Sequence, residues 1–166
     1  LPERENEFQA IEYIIKQIPA ASYVVPPAQV HIEGGDVMPW NDHILVGTYK
    51  GADYQEYKTA RTNMAGVEFL KELFPNKIVK EFDLVKSKDR CFQPVGTHQG
   101  IIYKGGFRQE ADYEYLVELF GRENLFHIER EEMYQMFSNV FSIAPDVVVT
   151  ERNFTRLNEW LQDNEF

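Results

Sequence analysis

Two carboxylates, Glu33 and Asp36, flank a Gly-Gly pair in the stretch HIEGGDVMPWNDHILVGTY, His31 to Tyr49. The glycines can turn a hairpin and leave both acids in solvent. Alternatively the acids are held at a strand end. Their neighbours Val30, Ile32, Val37 and Met38 are apolar, and a carboxylate carried into such surroundings must be paired or put to use. Arg61, in Arg61-Thr62-Asn63, offers a planar fork that grips a carboxylate at two points; it can also simply pair with Glu56. Asn63 stands directly ahead of a helical pattern and reads as its N-cap. Local pattern leaves these alternatives open.

The remaining reactive side chains favour structural roles. A nucleophilic thiolate needs a helix N-terminus or a neighbouring cation. Arg90 is adjacent to Cys91, but RCFQPVG reads as strand and turn, so Cys91 is expected to be a buried structural cysteine. His31, His43, His98 and His127 show no metal-ligand spacing. His31, two residues before Glu33, can share its strand face; a satisfied, partly buried histidine is the simpler reading. Trp40, Tyr113, Tyr115, Phe120 and Trp160 are expected in the core, and the acids of Glu129 to Glu132 suit a helix start.

The elements that position these groups follow from periodicity. NEFQAIEYIIKQI repeats Phe8, Ile11, Ile14, Ile15 and Ile18 at helical steps. ASYVVPPAQVHIEGG reads as extended chain broken by Pro26 and Pro27. HILVGTY is a strand, NMAGVEFLKELF a helix burying Met64, Val67, Phe69, Leu70 and Leu73, and KIVKEFDLV a strand. The grammar then returns: strand GIIYKGG, helix EADYEYLVELFG, strand NLFHIE. A third round has the short helix EEMYQMF, two strands in NVFSIAPDVVVT split at Pro145, and the helix NFTRLNEWLQDN. Rounds of about 45 residues suggest repeated β/α modules, with an ordinary three-layer α/β domain as the alternative.

Composition bounds the function. The chain has 166 residues, 43% hydrophobic and 27% charged, which suits a single domain with its own core. Seventeen Lys and Arg against 27 Asp and Glu give a net charge of −10. Without a basic cluster this argues against nucleic acid and anionic membranes and is compatible with a cationic small molecule. No apolar run nears the roughly 18 residues of a membrane helix, and no signal-peptide pattern opens the chain. One cysteine cannot form an internal disulfide, so cytoplasm is the default location. The start at Leu1 points to a chain that is processed, cut or partly represented.

Together, IEGGDVMPWNDHILVG, RTNMAGVEFL, CFQPVG, NVFSIAPDVVV and RLNEWL resemble, in order and approximate spacing, the guanidino-group-modifying enzymes, or penteins. These include arginine deiminases, dimethylarginine dimethylaminohydrolases, agmatine deiminases and amidinotransferases. The resemblance implies an α/β fold, a β/α propeller of which residues 1–166 form a single partial domain. About three of five modules would be present, without the N-terminal and C-terminal ones. It also implies covalent chemistry: a cysteine thiolate attacks the guanidinium carbon, a histidine moves protons and carboxylates hold the cation. By this resemblance Glu33 is catalytic, binding substrate and orienting the histidine, and Arg61 binds a substrate carboxylate. Asp36 fixes the turn. No cofactor or metal is implied. The implied partners are a small guanidino substrate and an oligomer or complementing chain.

The sequence also departs from the pattern. YKGADYQEYKTA, ahead of Arg61, is longer than in typical deiminases. Relatives carry His-Leu-Asp and another cysteine just before Cys-Phe-Gln-Pro-Val-Gly, whereas here the text is VKSKDRCFQPVG. Aligned without a gap, Ser87 replaces the histidine and Asp89 falls at the substrate-binding aspartate; a deletion of several residues between Asp89 and Cys91 explains the text better. The expected histidine and nucleophilic cysteine are thus both lacking. The expectation is part of a hydrolase or amidinotransferase acting on arginine-like substrates, its nucleophile outside these residues. The alternative is an inactive relative that binds a guanidino ligand or a protein.

Overall fold

The computed structural model describes residues 7–51, 61–85 and 91–166. After helix α1, Glu7–Ile15, the chain runs outside any sheet, through 3-10 turns at Ala20–Ser22 and Gly34–Asp36, to strand β1, Val37–Trp40. Pro26 and Pro27 donate no hydrogen bonds, so this stretch joins no sheet. Asn41, with φ of 49°, turns β1 into the antiparallel strand β2, His43–Thr48. Asn tolerates that backbone because its short side chain can bond locally. Helix α2, Met64–Leu73, then leads to β3, Ile78–Asp83, which lies parallel to β2.

The second round repeats this plan. Strands β4, Phe92–Val95, and β5, Gln99–Ile102, are antiparallel; helix α3, Glu110–Phe120, leads to β6, Leu125–His127, parallel to β5. The third follows the short helix α4, Arg130–Tyr134. It pairs β7, Phe141–Ala144, antiparallel with β8, Val147–Val149, and continues into α5, Thr155–Asp163. Two small sheets therefore share one strand order, and the third begins in the same way.

Burial explains why the rounds hold together. Leu45, Phe82, Phe92, Ile102, Leu116 and Phe120 form one core between the first two sheets and α3. Ile101, Phe126, Met133, Phe137, Leu157 and Leu161 form a second around α5. Tyr113 and Phe120 are buried, whereas Trp40, Tyr115 and Trp160 pack only at core edges. The expected α2 stripe is trimmed. Val67 and Leu70 are buried, Phe69 is half-buried, and Met64 and Leu73 are 38% and 40% exposed. A helix resting on one narrow sheet covers only its central turns.

The acids at Glu129 do open a helix. The Glu129 N–H donates to Glu132 Oε2 at 2.7 Å, satisfying one orphan donor of α4. Glu132 also receives the Arg156 guanidinium, whose Nη2 donates to the His127 carbonyl at 2.8 Å. This hydrogen-bonded cation holds the Glu132 carboxyl below its ordinary value of 4.5. A depressed carboxyl stabilises the fold fully above the unfolded value, and that contribution is lost as pH falls through the folded one. Arg156 is half-exposed, so the effect is about 1 kcal/mol or less, or roughly 2–4 °C in Tm. Melting from pH 6 to pH 3 is expected to show the wild-type advantage over Glu132→Gln holding above the ordinary carboxylate value of 4.5 and shrinking as pH falls below it.

Candidate functional site

Register alone gathers the site. Thr48 of β2 lies opposite Asp83 of β3, and Val37 of β1 opposite Val46. The start of β1 and the carboxyl ends of the parallel strands β2 and β3 therefore meet at one end of the sheet. Crevices at such carboxyl ends are where open α/β sheets bind ligands. Glu-Gly-Gly-Asp sits there as a 3-10 turn, Gly34–Asp36, with Glu33 as its preceding residue.

Asp36 is an anchor. Its Oδ2 accepts the Arg61 N–H at 2.7 Å, the Thr62 N–H at 2.9 Å and the Thr62 hydroxyl at 3.1 Å. Thr62 Oγ1 in turn accepts the Glu33 N–H at 3.1 Å. The hydroxyl of Thr62, fully buried, thus ties both acid-bearing residues to the start of α2. Burial pushes the Asp36 carboxyl above its ordinary value; the amides of Arg61 and Thr62 pull it down, and the Glu33 charge adds to the rise.

Asn63 completes the splice. Its side chain accepts the Gly66 N–H at 2.8 Å as the α2 cap, and also the His31 N–H at 3.2 Å. The Asn63 N–H donates to the His31 carbonyl at 3.1 Å. His31 contributes through its backbone, and its side chain lies exposed. Gly66 permits this approach, because a Cβ there would stand 2.5 Å from the His31 carbonyl oxygen.

Held by these contacts, Glu33 and Arg61 meet: Arg61 Nη1 lies 3.4 Å from Glu33 Oε2, the two side chains 37% and 34% exposed. A groove of about 470 Å³ begins at Gly34 and Gly35. It runs along the first strands of all three sheets, past Met38, Trp40, Pro94 and Phe141. The 86–90 segment, including Ser87 and Asp89, lies outside the described residues, as does Glu56.

A second ion pair shares this sheet end. Arg108 Nε lies 3.2 Å from Asp83 Oδ2, its guanidinium 5.0 Å from the Tyr49 ring centre. Asp83 Oδ1 accepts the Lys50 N–H at 3.0 Å. The sequence reading passed over both residues. The signal for them was slight: Asp83 is the third charged residue of β3 after Lys80 and Glu81, and Arg108 meets it only because the preceding Gly-Gly turn pairs back onto Leu84 and Val85.

Cys91 is not poised for attack. It is 5% exposed, and burial, with the Asp36 charge adding, pushes its thiol to about 12. Since only the thiolate is nucleophilic, the folded protein at pH 8 is expected to resist a disulfide reagent such as dithionitrobenzoate. One thiol should titrate rapidly only after denaturation. His43 is buried with Nδ1 2.6 Å from Asp42 Oδ1. Among the described residues, no group of His, Cys, Asp and Glu could hold a metal ion, and no helix is long and apolar enough to cross a membrane.

No protein-family profile matches the chain, and no curated protein matches it. Solved structures do. A dimethylarginine dimethylaminohydrolase bound to S-methyl-L-thiocitrulline superposes with a TM-score of 0.72 at 18% identity, over 100% of this chain and 59% of that one. The Pseudomonas aeruginosa enzyme with citrulline gives 0.71 at 18%, over 98% and 57%. The product-bound N-terminal domain of ArgZ, a cyanobacterial arginine dihydrolase, gives 0.75 at 15%, over 99% and 56%. At these identities the likeness establishes the fold: an α/β pentein fold, of which the chain spans under three fifths of those chains' length.

Proposed function

On this pentein fold, we propose that the chain forms the substrate-binding part of an enzyme that modifies the guanidino group of arginine-like compounds. The observation that carries the reading is the Glu33–Arg61 pair, 3.4 Å apart at this sheet end, Glu33 directly preceding the Gly34-Gly35 turn that lines the groove. A carboxylate there can take a guanidinium, and a guanidinium can take the carboxylate at a substrate's other end. Both are charge-assisted, fork-shaped contacts. Arg108 adds a second cation at the same sheet end. Several similar solved structures are guanidino-modifying enzymes, or bind citrulline or a thiocitrulline, which supports the same class of ligand.

In this reading the covalent step takes a thiolate, and Cys91, the one cysteine of these residues, is buried and protonated at neutral pH. This reading therefore takes its nucleophile from outside these residues. The same observation favours a second reading, in which the protein binds a guanidino ligand without turning it over. A panel of L-arginine, methylated arginines and agmatine, assayed on the full-length protein as its cell makes it, separates the two. Turnover with release of a ureido product, or transfer of the amidino group, supports the enzyme; a rise in Tm without product supports the binder. Neither effect with any compound would overturn both.

A further inference from the structure

Resting on the proposal that Glu33 takes a guanidinium, we infer that Arg61 is an internal occupant of that position, so that ligand binding is an exchange of partners. The Arg61 guanidinium is the same chemical group as the proposed ligand's reacting end, and it lies 3.4 Å from the Glu33 carboxylate. The Asp36 carboxylate grips the Arg61 and Thr62 amides at 2.7 and 2.9 Å, so the backbone is fixed and the side chain can pivot about it. With both side chains over a third exposed, the pair is weak enough to open, since such ion pairs contribute little net stability. An incoming arginine displaces Arg61 from Glu33 with its guanidinium and re-engages it with its carboxylate. A guanidine without a carboxylate only competes with Arg61. The device therefore selects for ligands carrying both groups.

The test compares methylguanidine with L-arginine, by calorimetric titration of wild type and Arg61→Ala. The variant is expected to bind methylguanidine about threefold to fivefold more tightly, the scale of an exposed ion pair removed. It should bind L-arginine about tenfold or more weakly, the scale of a lost charged hydrogen bond. Loss of folding would weaken both ligands together, so opposite signs mark the exchange. Weaker or unchanged methylguanidine binding in the variant overturns it. A ligand-free measurement decides the pair separately: the Arg61 guanidinium NMR resonances should move in Glu33→Gln, and identical spectra overturn the inference whatever binds. If the resonances move but neither protein binds any guanidine, the proposed function falls and this inference with it.

Discussion

Glu33→Gln is expected to lower the affinity for L-arginine by about one to two orders of magnitude, the 1.5–3 kcal/mol of a hydrogen bond to a charged group. In any turnover assay the loss should reach about 10² to 10³, the scale of removing one preorganised electrostatic partner. Glutamine keeps the shape of the side chain but replaces one acceptor oxygen with a donor, which faces the N–H groups of a guanidinium and repels them. Stability should hardly register the change. Glu33 is about a third exposed and its ion pair is of the kind that contributes 1 kcal/mol or less, so Tm should move by no more than about 4 °C. Paired titrations and melting curves check both halves. A variant that binds L-arginine as wild type does would remove Glu33 from the site.

Gly106→Ala is expected to be strongly destabilising. A Cβ at Gly106 would lie 2.0 Å from Cys91 Cβ and 2.9 Å from its sulfur, against the roughly 3.5–4.0 Å at which carbons rest. Neither backbone can yield cheaply. The Cys91 carbonyl accepts the Tyr103 N–H at 2.8 Å, and the Gly106 carbonyl accepts the Val85 N–H at 2.9 Å. Overpacking commonly costs about 1–3 kcal/mol, and this contact belongs at the upper end. At roughly 2–4 °C per kcal/mol the expected fall in Tm is about 6–12 °C. Adding Cys91→Gly to Gly106→Ala removes the clashing Cβ but also a buried thiol of the core, so it should recover only part of that loss. A Tm within about 1 °C of wild type for the single variant would contradict the packing described.

Much of this was legible in the sequence, for identifiable reasons. Buried apolar runs such as Ile44 to Val46 in β2 and Ile101 to Ile102 in β5, alternating with helical stripes, announced the repeated modules. Asn63 read as a cap and is one. The Glu-Gly-Gly-Asp stretch was undecidable locally because its geometry is set from elsewhere. Asp36 is bound by residues 25 and 26 positions away, and no local pattern reports such a partner. Arg61 and Glu33 meet for the same reason. Arg108 and Asp83 went unread because each is ordinary alone and meaningful only where β3 and the Gly-Gly turn converge. Asp89, assigned by resemblance, lies outside the described residues.

The central claim, that the end of the first sheet holds an arginine-like ligand by its two charged ends, is tested most directly by a crystal structure of the protein soaked in L-arginine. The account predicts the ligand guanidinium within about 3 Å of the Glu33 carboxylate, the Arg61 side chain swung away from Glu33, and the ligand carboxylate on Arg61. L-arginine bound elsewhere, or a Glu33–Arg61 pair still closed at saturating ligand, would contradict it.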